Sequence, residues 1–281
     1  MILDGKELSK KIKQEIKEEV SKLIEQNTIV PGLAIVLVGS NPASEIYVRN
    51  KLKAAAFCKI NASLIRKDEN ITEEALLNLV YTLNQDPKYH GIIVQLPLPK
   101  HINEQKIIDA IDTSKDVDGF GALNKGRLFS GLKAMESATP HGIMRLLDAY
   151  NIPIEGRRAV VVGRSNIVGK PMAMLLLNRN ATVTICHSKT QNLKEITKQA
   201  DILVVAIGKA KYITADMVKE GAVVVDVGTN RIDGVLCGDV DFENVAPIVS
   251  YISPVPGGVG PLTIASLLEN TVIAYKKIYN I

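Results

Sequence analysis

Apolar residues first appear at helical spacing. Leu8, Ile12, Ile16, Val20 and Leu23 recur every three or four positions among lysines and glutamates, which predicts an amphipathic helix over residues 8–24. The pattern then changes. Residues 33–38 form an unbroken apolar run, the mark of a strand covered on both faces. Helical spacing over 43–57, a strand at 61–66, a helix over 73–83 and a strand at 91–96 follow in turn. Strand and helix alternating at this spacing predict a parallel sheet joined by right-handed crossovers. The periodicity breaks over 112–121, and Thr139-Pro140 opens a helix through Leu146. A second series of strands reads at 159–162, 182–186, 202–206, 223–227 and 250–252. The last helix covers 261–278, with Ile264, Leu267, Leu268 and Ile273 on an apolar face. The expected fold class is α/β, in two domains, each a mainly parallel sheet flanked by helices.

The first strand of the second series runs directly into Gly163-Arg164-Ser165-Asn166-Ile167-Val168-Gly169, and an apolar helical pattern (Met172, Leu175, Leu176) begins just after it. Strand, glycine turn and helix start is the context in which backbone N–H groups hold a phosphate. The spacing departs from G-x-G-x-x-G: Ser165 stands at the second glycine, and Gly169 comes one residue late. A tight turn without a ligand is the plainer alternative. The next strand favours the ligand. NAD sites place an acid about 20 residues on to bind the ribose hydroxyls, whereas the strand here ends in His187-Ser188-Lys189-Thr190 with no carboxylate. Arg164 in the loop and the hydroxyl of Ser188 suit a 2′-phosphate. The pattern points to NADP rather than NAD.

Composition narrows the field. The 281 residues are enough for two modest domains, and a net charge of +4, dispersed along the chain, gives no sign of a nucleic-acid partner. Cys58, Cys186 and Cys237 are odd in number, and neither they nor the four histidines share a metal-ligand spacing. That usage fits a reducing compartment, and no metal is expected. No apolar run approaches membrane-spanning length, and Met1–Lys6 lacks a signal-peptide core, so a cytoplasmic protein without a membrane partner is expected.

Three further features bear on chemistry. Tyr47 and Lys51 lie four apart, hence on one helix face. A lysine partly desolvated in a cleft can move protons near neutral pH, whereas a surface lysine snorkelling beside a packed tyrosine is the plainer reading. Gln95 interrupts the end of an apolar strand, where α/β sheets place ligands. Asp116 and Asp118 fall in the aperiodic stretch, where loop capping is equally open to them.

Together these residues form a recognisable set. Ala43-Ser44-x-x-Tyr47-Val48-x-x-Lys51, Val94-Gln95-Leu96-Pro97-Leu98-Pro99, Lys115-Asp116-Val117-Asp118-Gly119-Phe120, Gly163-Arg164-Ser165-x-x-Val168-Gly169-x-Pro171 and Pro254-Val255-Pro256-Gly257-Gly258-Val259-Gly260-Pro261 occur in that order. The chain thereby resembles the bifunctional methylenetetrahydrofolate dehydrogenase/methenyltetrahydrofolate cyclohydrolase family. The resemblance implies a folate-binding catalytic domain from residues 1–138 plus 261–281, a Rossmann-like NADP-binding domain over 139–260, and a cleft between them. It implies NADP-dependent oxidation of 5,10-methylenetetrahydrofolate to the methenyl form, then hydrolysis to 10-formyltetrahydrofolate, and a homodimer. In the family, the lysine matching Lys51 is the general acid/base of hydrolysis, and the glutamine matching Gln95 tunes it. The tyrosine matching Tyr47 orders the folate, and the aspartate matching Asp118 hydrogen-bonds the pterin. Segments matching Val94, Gln95 and Leu96, and Pro256, Gly257, Gly258, Val259 and Gly260, line the folate site. Those matching Gly163, Arg164, Ser165, Ser188 and Thr229 meet NADP. The family's usual Pro-Cys-Thr-Pro is Ser137-Ala138-Thr139-Pro140 here, and Leu262 replaces a common Met. Two other classes remain alternatives. One is another two-domain NADP-dependent dehydrogenase, which leaves the Tyr47/Lys51/Gln95/Asp118 set unexplained; the other is a non-catalytic NADP- or folate-binding regulator, which has no use for a desolvated lysine.

Overall fold

A computed structural model describes every residue except Thr28. The chain divides into two compact units: Lys10–Ala138 with Ile264–Ile281, and Met1–Ser9 with Thr139–Thr263. The closing segment therefore groups with the first half of the chain, and the first nine residues group with the second half.

In the first half run α1 (Gly5–Asn27), β1 (Gly32–Val38), α2 (Pro42–Phe57), β2 (Asn61–Lys67), α3 (Glu73–Gln85), β3 (Gly91–Val94), α4 (Glu104–Asp109) and α5 (Ala122–Phe129). The strands are parallel in the order β2-β1-β3. Position in the sheet explains their composition. Every residue of central β1 is buried, whereas no residue of edge strand β2 is, its positions being half-covered or exposed. Leu76, Val80 and Leu83 of α3 pack with Ala34, Val36 and Val38 of β1. α2 starts sharply because Asn41 caps it, its side-chain oxygen accepting from the Ala43 and Ser44 amides with Pro42 in the first turn.

The second half contributes α6 (Ala138–Ala149), β4 (Arg158–Val162), α7 (Gly169–Asn178), β5 (Thr182–Cys186), α8 (Leu193–Thr197), β6 (Ile202–Val205), β7 (Val223–Asp226), β8 (Asn230–Ile232), β9 (Val235–Cys237), α9 (Phe242–Val245), β10 (Tyr251–Ile252) and α10 (Val259–Tyr279). The main sheet is parallel, in the order β10-β7-β6-β4-β5. Its β10 edge is extended by the N-terminus, since the Leu3 amide donates to the Ile252 carbonyl at 2.8 Å and the Ile252 amide to the Met1 carbonyl at 3.0 Å. The β8–β9 hairpin turns on Asp233-Gly234, both at positive φ, as tight hairpins with an Asp-Gly tip require. α10 buries Leu267, Leu268, Val272 and Tyr275, while Ile273 is only half covered.

Candidate functional site

In the first unit the strand order reverses beside β1, so the carboxyl ends of β1 and β3 form the switch point at which open α/β sheets bind ligands. Gln95 sits there. Its amide extends the ladder by one bond, donating to the Val36 carbonyl at 2.9 Å, although the regular strand stops at Val94. Lys51, on the helix that follows β1, donates from Nζ to Gln95 Oε1 at 3.0 Å. Gln95 Nε2 donates to the Leu96 carbonyl at 2.8 Å, which fixes the side-chain oxygen toward the lysine. Lys51, Gln95 and Leu96 are half-buried and Val94 is buried, so the contact lies at the margin of solvent. Tyr47, one helical turn before Lys51, is 46% exposed.

Asp118 reaches this group through a loop pinned at several points. The Ile92 amide on β3 donates to the Lys115 carbonyl at 2.9 Å. The buried Asp116 carboxylate accepts from the amides of Phe120 and Gly121 and from Asn124 Nδ2, which settles it as a loop-shaping residue. Asn270 Nδ2 of α10 donates to the carbonyls of Val117 and Glu136 at 2.8 and 2.9 Å. Ser137 Oγ donates to the Gly119 carbonyl at 3.1 Å. Gly119 is at φ +67, and a side chain there would collide with the backbone of Glu136 and Ser137. The crowding around Asp118 pushes its carboxyl above the usual range; the Lys51 ammonium opposes this and the Asp116 carboxylate adds to it.

In the second unit the order reverses between β4 and β6. Gly163, Arg164 and Ser165 leave β4 at the carboxyl edge, and His187 and Ser188 leave neighbouring β5 at the same edge, tied by the Gly163 amide on the Cys186 carbonyl. Arg164 and Ser188 are exposed. Thr229 follows β7, and residues 256–260 follow β10, again at that edge. Two glycines are dictated by contact. A side chain on Gly163 would come within 2.3 Å of the Ala206 carbonyl oxygen, and one on Gly169 within 2.2 Å of the Gly163 carbonyl oxygen. The late glycine thus lets α7 start directly against the loop. Ser165, at the second-glycine position, accepts from the Val168 and Gly169 amides through Oγ, so two amides at the helix start are already occupied. A glycine cradle, a helix start, an exposed guanidinium and no acid at the end of β5 fit a phosphate-bearing dinucleotide. Pro256 is exposed, Gly257 is at φ +109, and a side chain on Gly258 would lie 2.5 Å from the Pro254 carbonyl oxygen. Val259 is buried and Gly260 exposed.

The structure therefore gathers Tyr47, Lys51, Gln95 and Asp118 in one unit. It gathers Gly163, Arg164, Ser165, Ser188, Thr229 and residues 256–260 along one sheet edge of the other. Residues to which the sequence reading gave no role are Asn124, Ser137 and Asn270 around the Asp118 loop, Asp226 at the end of β7, and Asp239 after the β8–β9 hairpin. All five shape loops through contacts distant in sequence; only the Asp233-Gly234 hairpin beside Asp239 had a local signal. Among the described residues no cluster of histidine, cysteine or acid could hold a metal, and no helix is long and apolar enough to cross a membrane.

Fold and site together define a dinucleotide-binding α/β protein whose first unit carries a lysine–glutamine pair at its own switch point. Residues 3–118 match the catalytic domain, and residues 137–279 the NAD(P)-binding domain, of the tetrahydrofolate dehydrogenase/cyclohydrolase models. The chain belongs to that family. It is 58% identical over 271 residues to the Bifunctional protein FolD of Streptococcus pneumoniae, covering 96% of this chain and 95% of that protein. Among solved structures, the bifunctional FolD methylenetetrahydrofolate dehydrogenase/cyclohydrolase of Campylobacter jejuni superposes with a TM-score of 0.97 at 52% identity, over 99% of each chain. The Trypanosoma brucei enzyme, complexed with NADP cofactor and inhibitor, does so with 0.96 at 37% identity, over 100% of this chain and 99% of that one.

Proposed function

We propose that the protein oxidises 5,10-methylenetetrahydrofolate with NADP and hydrolyses the methenyl product to 10-formyltetrahydrofolate. The observation that carries this reading is the Lys51–Gln95 contact at the carboxyl end of β3, within a chain matched to the family along nearly its whole length. NADP, when bound, supplies the hydride acceptor. The chain's own residues position and hydrate. Gly163, Arg164 and Ser165 with Ser188 and Thr229 hold the cofactor, Arg164 and Ser188 at its 2′-phosphate. Tyr47 orders the folate. Asp118 hydrogen-bonds the pterin. Val94 and Leu96 line the folate path.

Hydrolysis needs a proton carrier. Lys51 takes a proton from the attacking water and returns one to the departing folate nitrogen, with Gln95 holding its amine in place. The reading extends to a homodimer working in the cytoplasm without nucleic-acid or membrane partners; the three cysteines, unpaired in the structure, support a reducing compartment. Turnover of methylenetetrahydrofolate followed by NADPH absorbance, with the methenyl band read in parallel, tests the whole scheme. Reduction of NADP without later decay of the methenyl band limits the protein to the first reaction; no reduction at all overturns the proposal.

A further inference from the structure

We propose that Asp239, located by Asp226, is a positioning residue for the cofactor: its carboxylate sets the two loops that leave β6 and β7 at the carboxyl edge of the main sheet. The inference rests on reading that edge as the NADP site. Asp239 has no accessible surface and Asp226 almost none. Burying carboxylates is costly unless donors surround them. Here the donors are N–H groups. Asp239 Oδ2 accepts from the amides of Ile207 and Gly208 at 2.7 and 2.9 Å; Oδ1 accepts from the Lys209 amide and from Asn230 Nδ2, both at 2.8 Å. Four donors fill the four lone-pair positions of one carboxylate.

Asp226 holds the holder. Its oxygens accept from the amides of Gly228, Asp239 and Val240, each at 2.9 Å, so it places the backbone of Asp239 and starts the loop toward Thr229. The chain makes room for both carboxylates with hydrogen-only positions. A side chain on Gly228 would lie 2.4 Å from the Asp239 carboxyl, and one on Gly238 1.8 Å from Asp226 Oδ2.

The location of the donors separates this pair from ordinary core polar groups. The partners of the Asp239 carboxylate cluster where the strands end: residues 207–209 just after β6, and Asn230, which opens β8 directly after Thr229. Residue 206 is also the surface against which Gly163 rests, so the height of the 206–209 loop and that of the glycine turn are set together. A loop edge fixed before the ligand arrives spares the cost of ordering it on binding.

The test uses the full-length enzyme carrying Asp239→Asn, which replaces one acceptor oxygen by an NH2 group facing two N–H donors. The expected result is a rise of about ten- to a hundredfold in the Kd for NADPH, read by nucleotide fluorescence, and in KM for NADP. The value of kcat at saturating cofactor and cofactor-free hydrolysis of methenyltetrahydrofolate stay at the parent level. Asn230→Ala deletes a single donor and shifts the same Kd by about three- to tenfold; it carries the test if Asp239→Asn fails to fold. A folded variant with a lowered Tm but the parent Kd for NADPH overturns the inference, leaving the carboxylate a folding role only. A parent enzyme that binds no NADPH overturns the functional reading beneath it, a result visible before any variant is made.

Discussion

Lys51 Nζ and Gln95 Oε1 are 3.0 Å apart, and the far side of the same amide is tied to the Leu96 carbonyl at 2.8 Å. A glutamine anchored in this way presents one oxygen and no hydrogen to the lysine. The amine is held in direction while its remaining hydrogens stay available, which is what a proton carrier needs.

Replacing Lys51 by Met keeps the apolar stem and the helix propensity but removes the proton-carrying group. Hydrolysis of methenyltetrahydrofolate should fall by about a hundred- to ten-thousandfold. Oxidation of the methylene compound needs no proton and should be less affected, so the methenyl band should accumulate. Hydrolysis at the parent rate would falsify the assignment and restore the reading of a snorkelling lysine.

Arg164 is exposed at the first turn after β4, free to meet a 2′-phosphate. A charge-assisted hydrogen bond contributes about 1.5–3 kcal/mol. Arg164→Ala should therefore raise KM for NADP by about ten- to a hundredfold and leave the use of NAD nearly unchanged. Equal losses with both nucleotides, measured side by side, would mean that the arginine shapes the loop instead.

His90 is buried and accepts from the Gly32 amide through Nδ1 at 2.8 Å, so Nε2 carries the proton and faces Tyr279 Oη at 3.3 Å. Burial, with a smaller push from Lys115, lowers its pKa to about 4. The unfolded chain then binds the proton more tightly than the folded one. This contribution is complete above the unfolded value of 6.5 and is lost progressively as pH falls from there toward about 4. At about 1.4 kcal/mol per pKa unit it amounts to roughly 3 kcal/mol. Urea unfolding across that window should show the decline, and His90→Asn should be less stable near neutrality but flatter below it. Identical slopes for the two proteins would place the acid sensitivity elsewhere.

Asn270 is almost fully buried on α10, yet it reaches both ends of the stretch between Val117 and Glu136. Asn270→Ala should cost about 1–3 kcal/mol of stability, because a buried carbonyl and a half-buried one lose this donor. It should also raise KM for the folate substrate while KM for NADP stays put. If both Michaelis constants move together, the bond supports the fold at large rather than the Asp118 loop.

The sequence by itself determined the local features. Continuous apolar runs marked β1, β3 and the central strands of the main sheet because those strands are covered on both faces, and Gly163 and Gly169 marked the tight turn after β4 because no side chain fits there. Tyr47 and Lys51 could be paired because helical spacing is a local rule. Strand ends were read one or two residues long, at Gln95 and at Ala206, since each still donates one ladder bond beyond the regular strand. Tertiary structure alone decided the rest. The order β10-β7-β6-β4-β5 is set by crossovers, and it is this order that brings Arg164, Ser188 and Thr229 to one edge. The grouping of Met1–Ser9 with the second half depends on pairing with Ile252, 250 positions from Ile2 along the chain. Asp239 and Asn270 look like any polar residue in the sequence. Their partners are loop amides and carbonyls from distant stretches, and only folding brings a buried acceptor or donor to backbone groups that would otherwise lack one.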